Sequence, residues 1–264
     1  MNSIILAAGE GKRLRPLTNE IPKCLVSVFG KTLLERQIEL FKQTNIFDIS
    51  VVTGYCSEKI KSNDIHIFKN PDFHSTNMIE TLFCAKEKLL DSTIISYGDI
   101  IFEKHVLDKL VESKHDISII VDFGWKEYWK SRFQSPLDDA ESLILDNNGF
   151  LTEIGQKVNG FEKIQGQYIG LMKFQNDGIK YLKNSYENAK KQSKTGQNTL
   201  NPKLPFNQSY MTDLLNHMIL EGCKLKVIPI KHGWLELDSY EDYLLYEKLY
   251  KSNQLSKFIN LIKN

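Results

Sequence analysis

Cysteine is scarce and scattered in this chain of 264 residues: Cys24, Cys56, Cys84 and Cys223 form no CxxC pair. That spacing excludes a zinc ribbon or a disulfide framework and leaves buried, reduced thiols. Histidine offers no alternative metal site, because the six histidines show no HxxxH or similar spacing. An excess of one charge is also missing. The formal net charge is +1, and Lys and Arg are spread along the chain without a basic block. Such a chain offers no track for a nucleic-acid backbone, although a local cluster can still hold a small anion. No segment approaches the ~20 apolar residues of a membrane span. No signal peptide precedes the strand-like run that begins at Ser3. A cytoplasmic protein that uses neither membrane nor nucleic acid is expected.

Hydrophobic residues make up 41% of the chain and charged residues 25%. This suits one sizeable core without staples. With no internal repeat and no clear linker, residues 1–264 are expected to form a single domain. Residues 3–8 form a continuous apolar run, the pattern of a buried parallel strand. Further strands are expected at 49–53, 65–68, 92–97 and 117–121. Helices are expected at 32–44, capped by Thr32, at 76–90 and around 106–111. This alternation predicts an α/β, Rossmann-like fold with a mostly parallel central sheet flanked by helices. The pattern changes after Asp122. Asn147-Asn148-Gly149 reads as a hairpin turn between strands at 142–145 and 150–154. With a strand at 168–174, this part is expected to form a small antiparallel region at the sheet edge. Residues 194–208, polar and broken by Pro202 and Pro205, read as a flexible loop. A helix at 210–220, strands at 224–230 and 234–237, and terminal amphipathic helices follow.

The most informative stretch is Leu6-Ala7-Ala8-Gly9-Glu10-Gly11-Lys12-Arg13-Leu14-Arg15-Pro16-Leu17-Thr18. Gly9 and Gly11 allow a tight turn and a close backbone approach to a ligand. Consecutive N–H groups in such a turn converge on an anion. Arg13 adds a planar fork suited to phosphate oxygens. Ala7 and Ala8 leave room for a base against the strand end. The stretch is neither a Walker P-loop nor a GxGxxG fingerprint, and its two glycines alone would suit an ordinary turn. The aspartate of Gly98-Asp99 follows a buried strand, where open α/β sheets place their sites. One carboxylate with substrate phosphates can hold Mg²⁺ there, and a helix cap is the alternative.

The extended string LAAGxGxRLxPLT, followed by Pro22-Lys23-Cys24-Leu25 and Gly30-Lys31, resembles the signature of the sugar-nucleotidyltransferase superfamily. Within it, the chain looks like the small single-domain cytidylyltransferases that make CDP-choline and related CDP-headgroups. The resemblance implies transfer of a nucleoside monophosphate from CTP, with Mg²⁺ and release of pyrophosphate. Leu6, Ala7, Ala8, Gly9, Gly11 and Arg13 would bind nucleotide, with Asn77 and Thr81 beside the base. Lys23 and Arg13 would neutralise charge developing on the phosphates. Asp99 would bind the metal. Asp238, after a short strand and before a helix, matches the family's second metal aspartate, and a plain helix cap is the alternative. The acceptor phosphate supplies its own anionic oxygen, so no nucleophilic Ser, Cys or His is expected.

Trp125, Tyr128 and Trp129 beside Arg132, with Asp139 and Glu141 nearby, read as an aromatic cage for a cationic amine or as packing. The stretch 125–171 also looks like cytidylyltransferases acting on glutamine phosphate or 2-aminoethylphosphonate. Trp125, Trp129, Arg132, Tyr168 and Glu236 are therefore the expected acceptor residues. The expected acceptor is a small phosphorylated or phosphonylated amino compound, and the expected role is decoration of cell-surface polysaccharide or lipid. A hexose-1-phosphate uridylyl- or thymidylyltransferase and a non-catalytic nucleotide-binding subunit are the rivals. A homodimer stays open.

Overall fold

A strand buried on both faces needs an unbroken apolar run, and β1 (Asn2–Ala7) supplies one, with all six residues buried. The computed structural model describes residues 1–62 and 64–261. In it β1 is followed by β2 (Ser27–Val28), β3 (Lys31–Thr32), β4 (Ile49–Thr53), β5 (His66–Lys69), β6 (Ser92–Tyr97) and β7 (Ile100–Phe102). Then come β8 (Ile117–Asp122), β9 (Glu141–Leu145), β10 (Leu151–Lys157), β11 (Gln167–Gln175), β12 (Lys226–Ile230) and β13 (Trp234–Glu236). Seven of these form one sheet in the order β12-β8-β11-β6-β1-β4-β5. Pairings of β1 with β4 and β6, of β4 with β5 and of β8 with β12 are parallel. Only β11 runs against its neighbours in this sheet, β6 and β8. The expected Rossmann-like, mostly parallel sheet is present, along with small antiparallel pairs β2–β3, β7–β13 and β9–β10.

The helices are α1 (Leu33–Gln43), α2 (Met78–Phe83), α3 (Lys104–Glu112), α4 (Trp125–Arg132), α5 (Asp177–Ser193), α6 (Met211–Leu220) and α7 (Tyr240–Lys251). Successive strand residues point to opposite faces. Ile5, Val51 and Ile94 therefore enter a core with Leu34 and Phe41 of α1, Leu107 of α3 and Trp129 of α4. Ile4, Val52 and Ile95 enter a second core with Leu82 of α2, Leu182 of α5 and Leu214 of α6. Thr32 caps α1 in a capping box with Glu35, as its position in the sequence suggested.

Three expectations change. The strand at 168–174 is not at the edge: as β11 it lies inside the main sheet, and Leu171, Met172, Lys173 and Phe174 are all buried. The helix expected over 76–90 stops at Phe83, and a 3-10 turn at Lys86–Lys88 follows. There the carbonyl of Lys88 accepts from the Asn2 side chain instead of continuing a helix. The loop around 194–208 is packed onto the protein. Its Asn198 is buried and donates to the Leu204 carbonyl and the Ser209 hydroxyl at 3.0 and 2.8 Å.

Candidate active site

The glycine-rich loop leaves β1 at its carboxyl end, where open α/β sheets gather their ligands. Gly11 has φ +67°, and an added Cβ would lie 3.1 Å from Cβ of Lys23. Only a residue without a side chain combines that conformation with that approach. Thr18 fastens the turn by donating to the Gly11 carbonyl at 2.7 Å. At Gly9 a Cβ would meet nothing within 4 Å, because that position borders a cleft of about 420 Å³. Leu6, Ala7, Ala8, Gly9, Gly11 and Arg13 all line this cleft, and so do Asn77 and Thr81. Asn77 also caps α2 through the Met78 N–H. Thr81 is held by Asn70, whose amide donates to it at 3.0 Å.

Lys23, Asp99 and Asp238 meet at one end of the cleft. The Lys23 ammonium donates to Asp99 Oδ2 at 2.7 Å and to Asp238 Oδ1 at 2.9 Å. Arg13 pairs with Asp238 Oδ2. Residues far apart in sequence converge here through strand pairing. β7 and β13 place Ile100 opposite Glu236, and the Leu237 N–H donates to the Asp99 carbonyl at 2.9 Å. Asp99 thus precedes one strand of the pair and Asp238 follows the other. Burial opposes the charge of Lys23, but the carboxylates of Asp99 and Asp238 outweigh it and hold the pKa above its usual value. Burial likewise opposes ionisation of Asp238, and Lys23, Arg13 and Arg132 overcome it and hold the carboxyl below its usual range. Among the described residues, the buried Oδ1 of Asp99 has no hydrogen-bond partner.

Glu236 stands beside this group, but neither it nor Tyr168, both expected to meet the acceptor, borders the cleft. Burial pushes its carboxyl up to about 7, Arg132 opposes this, and Asp99 and Asp238 add to the rise. Tyr168 packs edge-on against Tyr97 with ring centroids 5.7 Å apart. Burial raises the pKa of both phenols, so each stays a neutral hydrogen-bonding group.

The aromatic segment does not line the cleft. Trp125, Tyr128 and Trp129 are at most 4% exposed and pack edge to face within the core. The indole of Trp129 donates to Asp139 at 3.1 Å. The Arg132 side chain is wholly buried between Glu236 and Asp242. Helical spacing explains this. On α4, residues 125, 128, 129 and 132 share one face, and that face meets α7 and β13 rather than solvent. Sequence reasoning also missed lining residues. Phe73, His74 and Thr76 border the cleft, and so does Cys24, whose thiol burial pushes up to about 12. The Pro-Asp-Phe-His stretch before α2 carries no motif that would single them out.

The chain is similar to known NTP transferases. The family model described as a MobA-like NTP transferase domain matches residues 3–137. The chain is 37% identical over 253 residues to a CTP:phosphoglutamine cytidylyltransferase of Campylobacter jejuni, covering 92% of this chain and 97% of that protein. It is 35% identical over 119 residues to a choline-phosphate cytidylyltransferase of Streptococcus pneumoniae, covering 44% and 52%. The solved CTP:phosphocholine cytidylyltransferase from Streptococcus pneumoniae shares the fold, with a TM-score of 0.70 at 20% identity over 94% of this chain and 98% of that one.

Proposed function

The chain belongs to the family of MobA-like NTP transferase domains, and on that premise we propose that it transfers CMP from CTP to a small phosphorylated amino compound, releasing pyrophosphate. The observation that carries the reading is the convergence of Lys23, Arg13, Asp99 and Asp238 at the end of a glycine-lined cleft. The likeness to a phosphoglutamine cytidylyltransferase runs over nearly the whole length of both chains. It favours glutamine phosphate as acceptor, ahead of 2-aminoethylphosphonate and phosphocholine. The product would serve decoration of cell-surface polysaccharide or lipid, made in the cytoplasm where CTP is at hand.

An oxygen of the acceptor phosphate attacks the α-phosphorus of CTP. The bond from that phosphorus to the bridging oxygen of the β-phosphate breaks, and the electron pair leaves with pyrophosphate. The acceptor is already an anion, so no side chain must remove a proton. Lys23, kept charged by its carboxylate neighbours, neutralises the α-phosphate as charge develops. Arg13 and the backbone at Gly9 and Gly11 hold the triphosphate tail. Ala7, Ala8, Asn77 and Thr81 border the space for the base and ribose. Tyr168 and Glu236 would stand behind the cleft lining on the acceptor side, with Glu236 Oε2 already accepting from Arg132 at 2.8 Å.

Mg²⁺ fits this donor set. Asp99 Oδ1 is buried with no protein partner among the described residues, and carboxylate oxygens suit a hard cation. Among the described residues no cluster of three or more His, Cys, Asp or Glu forms a cage. Asp99 would hold the ion through Oδ1, Asp238 would join it by exchanging Lys23 or Arg13 for the ion, and the ion would supply charge neutralisation. Pyrophosphate release with each of the four nucleoside triphosphates, against glutamine phosphate, 2-aminoethylphosphonate, phosphocholine and glucose 1-phosphate, tests the reading. CTP with an amine acceptor should exceed any hexose-phosphate pair by at least ~10²-fold in kcat/KM. A hexose phosphate or a different nucleotide winning would overturn it.

A further inference from the structure

The segment 236–238 carries two of the carboxylates around Lys23, and helices α4 and α7 grip it from inside the protein. The Glu236 N–H donates to the Tyr128 hydroxyl at 2.9 Å. The Tyr246 hydroxyl donates to the Glu236 carbonyl, and the two phenols bond to each other. That closes a hydrogen-bonded ring around the Glu236 backbone. Arg132 completes the grip. Its Nε and Nη2 meet Asp242 Oδ1 and Oδ2 at 2.8 and 3.0 Å, and its Nη1 meets Glu236 Oε2 at 2.8 Å. The same Asp242 Oδ2 accepts the N–H of Asp238 at 3.1 Å and of Ser239 at 2.9 Å. The rings of Tyr128, Trp129 and Phe133 lie 4.9–5.5 Å from the guanidinium. They exclude water, and a bidentate pair is strongest where water is absent.

We propose that Arg132 is a positioning residue: through Asp242 and Glu236 it sets the direction in which Asp238 presents its carboxylate to Lys23, Arg13 and the metal, and it does not touch the acceptor. The geometry favours this over an acceptor contact. The Arg132 side chain is 0% exposed, and both edges of its fork are occupied by carboxylates. It also gives the aromatic cluster a role, as the dry wall around one buried cation. The inference rests on the reading of Asp238 as part of the catalytic centre. A shift of about 1 Å in such a group can cost ~10²-fold in rate, and a lysine cannot reproduce the fork.

The test uses the full chain with Arg132→Lys, Asp242→Asn, the double variant and Asp238→Asn. Each is assayed for kcat, for KM of CTP and of three amine acceptors, and for the Mg²⁺ concentration at half-maximal rate. Circular dichroism confirms folding at the assay temperature, and Asp242→Asn, which keeps the side-chain shape, serves if Arg132→Lys does not fold. Positioning predicts a kcat loss of at least ~10-fold by the same factor with every acceptor, with acceptor KM within ~2-fold. The Mg²⁺ requirement should rise, and the double variant should be no worse than the poorer single, since the pair acts as one unit. A raised KM for one acceptor with kcat intact would make Arg132 an acceptor contact and overturn the proposal. A lowered melting temperature with unchanged kinetics would reduce it to a structural ion pair. Full activity in Asp238→Asn would instead remove the reading beneath, a result separable from both.

Discussion

One wall of the cleft comes from a single stretch of chain, residues 6–24. The group facing it holds Asp99 and Asp238, with Glu236, Arg132 and Asp242 behind. The first wall is local. A strand end, two glycines and a lysine after a proline bring their own geometry. The second is assembled by strand pairing between β7 and β13 and by buried side chains from two helices. Nucleotide binding can therefore rest on one short loop, while the direction of Asp238 depends on packing at a distance. The two walls should respond differently to substitution.

The largest effect belongs to the atom that joins them. Lys23→Ala is expected to lower kcat at least ~10²-fold, the scale of losing one preorganised charge, with a normal circular dichroism spectrum. Near-normal turnover in the folded variant would separate the two walls. Asp99→Asn and Asp238→Asn should each raise the Mg²⁺ requirement severely, and their combined loss should be less than the product of the single losses. An unchanged Mg²⁺ response in either would leave that aspartate as a cap.

A smaller effect probes how far the nucleotide wall is really local. Asn207, in the loop before α6, accepts the Asn77 N–H at 2.8 Å and donates its amide to the Ser75 carbonyl at 2.9 Å. Asn207→Ala removes one of these bonds, worth about 1 kcal/mol. It should raise the KM for CTP up to ~5-fold and leave kcat and the acceptor KM unchanged. No change in CTP affinity would make the lip of the cleft independent of that loop.

The division between walls also explains what could be read from the sequence. Leu6 to Lys23 stood out because the residues of a family signature lie together in one segment, and the structure brings most of them to one cleft. Asp99 and Asp238 were legible as strand-end carboxylates. Trp125, Trp129 and Arg132 were not placed correctly. Their composition suits a cage or a core equally, and only the face they share against α7 decides. The inward place of β11 escaped for a related reason. A strand covered on both faces looks the same whether it runs parallel or antiparallel. Helix α5 went unread although Ile179, Leu182, Tyr186 and Ala189 repeat at helical spacing and are all buried.

The smallest expected effect lies outside both walls. Lys173 of β11 is buried and donates to the carbonyls of Val111 and Ser113 at the end of α3. Burial and the charge of Lys114 push its pKa from 10.5 down to about 8. The folded chain then binds this proton less tightly than the unfolded chain. The cost is full below about pH 8 and is relieved as pH rises towards 10.5, so stability should rise across that window. Urea midpoints for wild type and Lys173→Met at pH 7.5 and pH 10 check the sign, with wild type gaining relative to the variant at the higher pH. An equal pH response in both would mean that the lysine keeps its ordinary affinity.

The most direct measurement is ³¹P NMR of the wild-type chain incubated with CTP, glutamine phosphate and Mg²⁺. The account predicts that the acceptor phosphate signal disappears as a new pyrophosphate diester appears, with one pyrophosphate released per diester formed. Loss of CTP with the acceptor signal unchanged, or formation of the diester without pyrophosphate, would contradict cytidylyl transfer at this site.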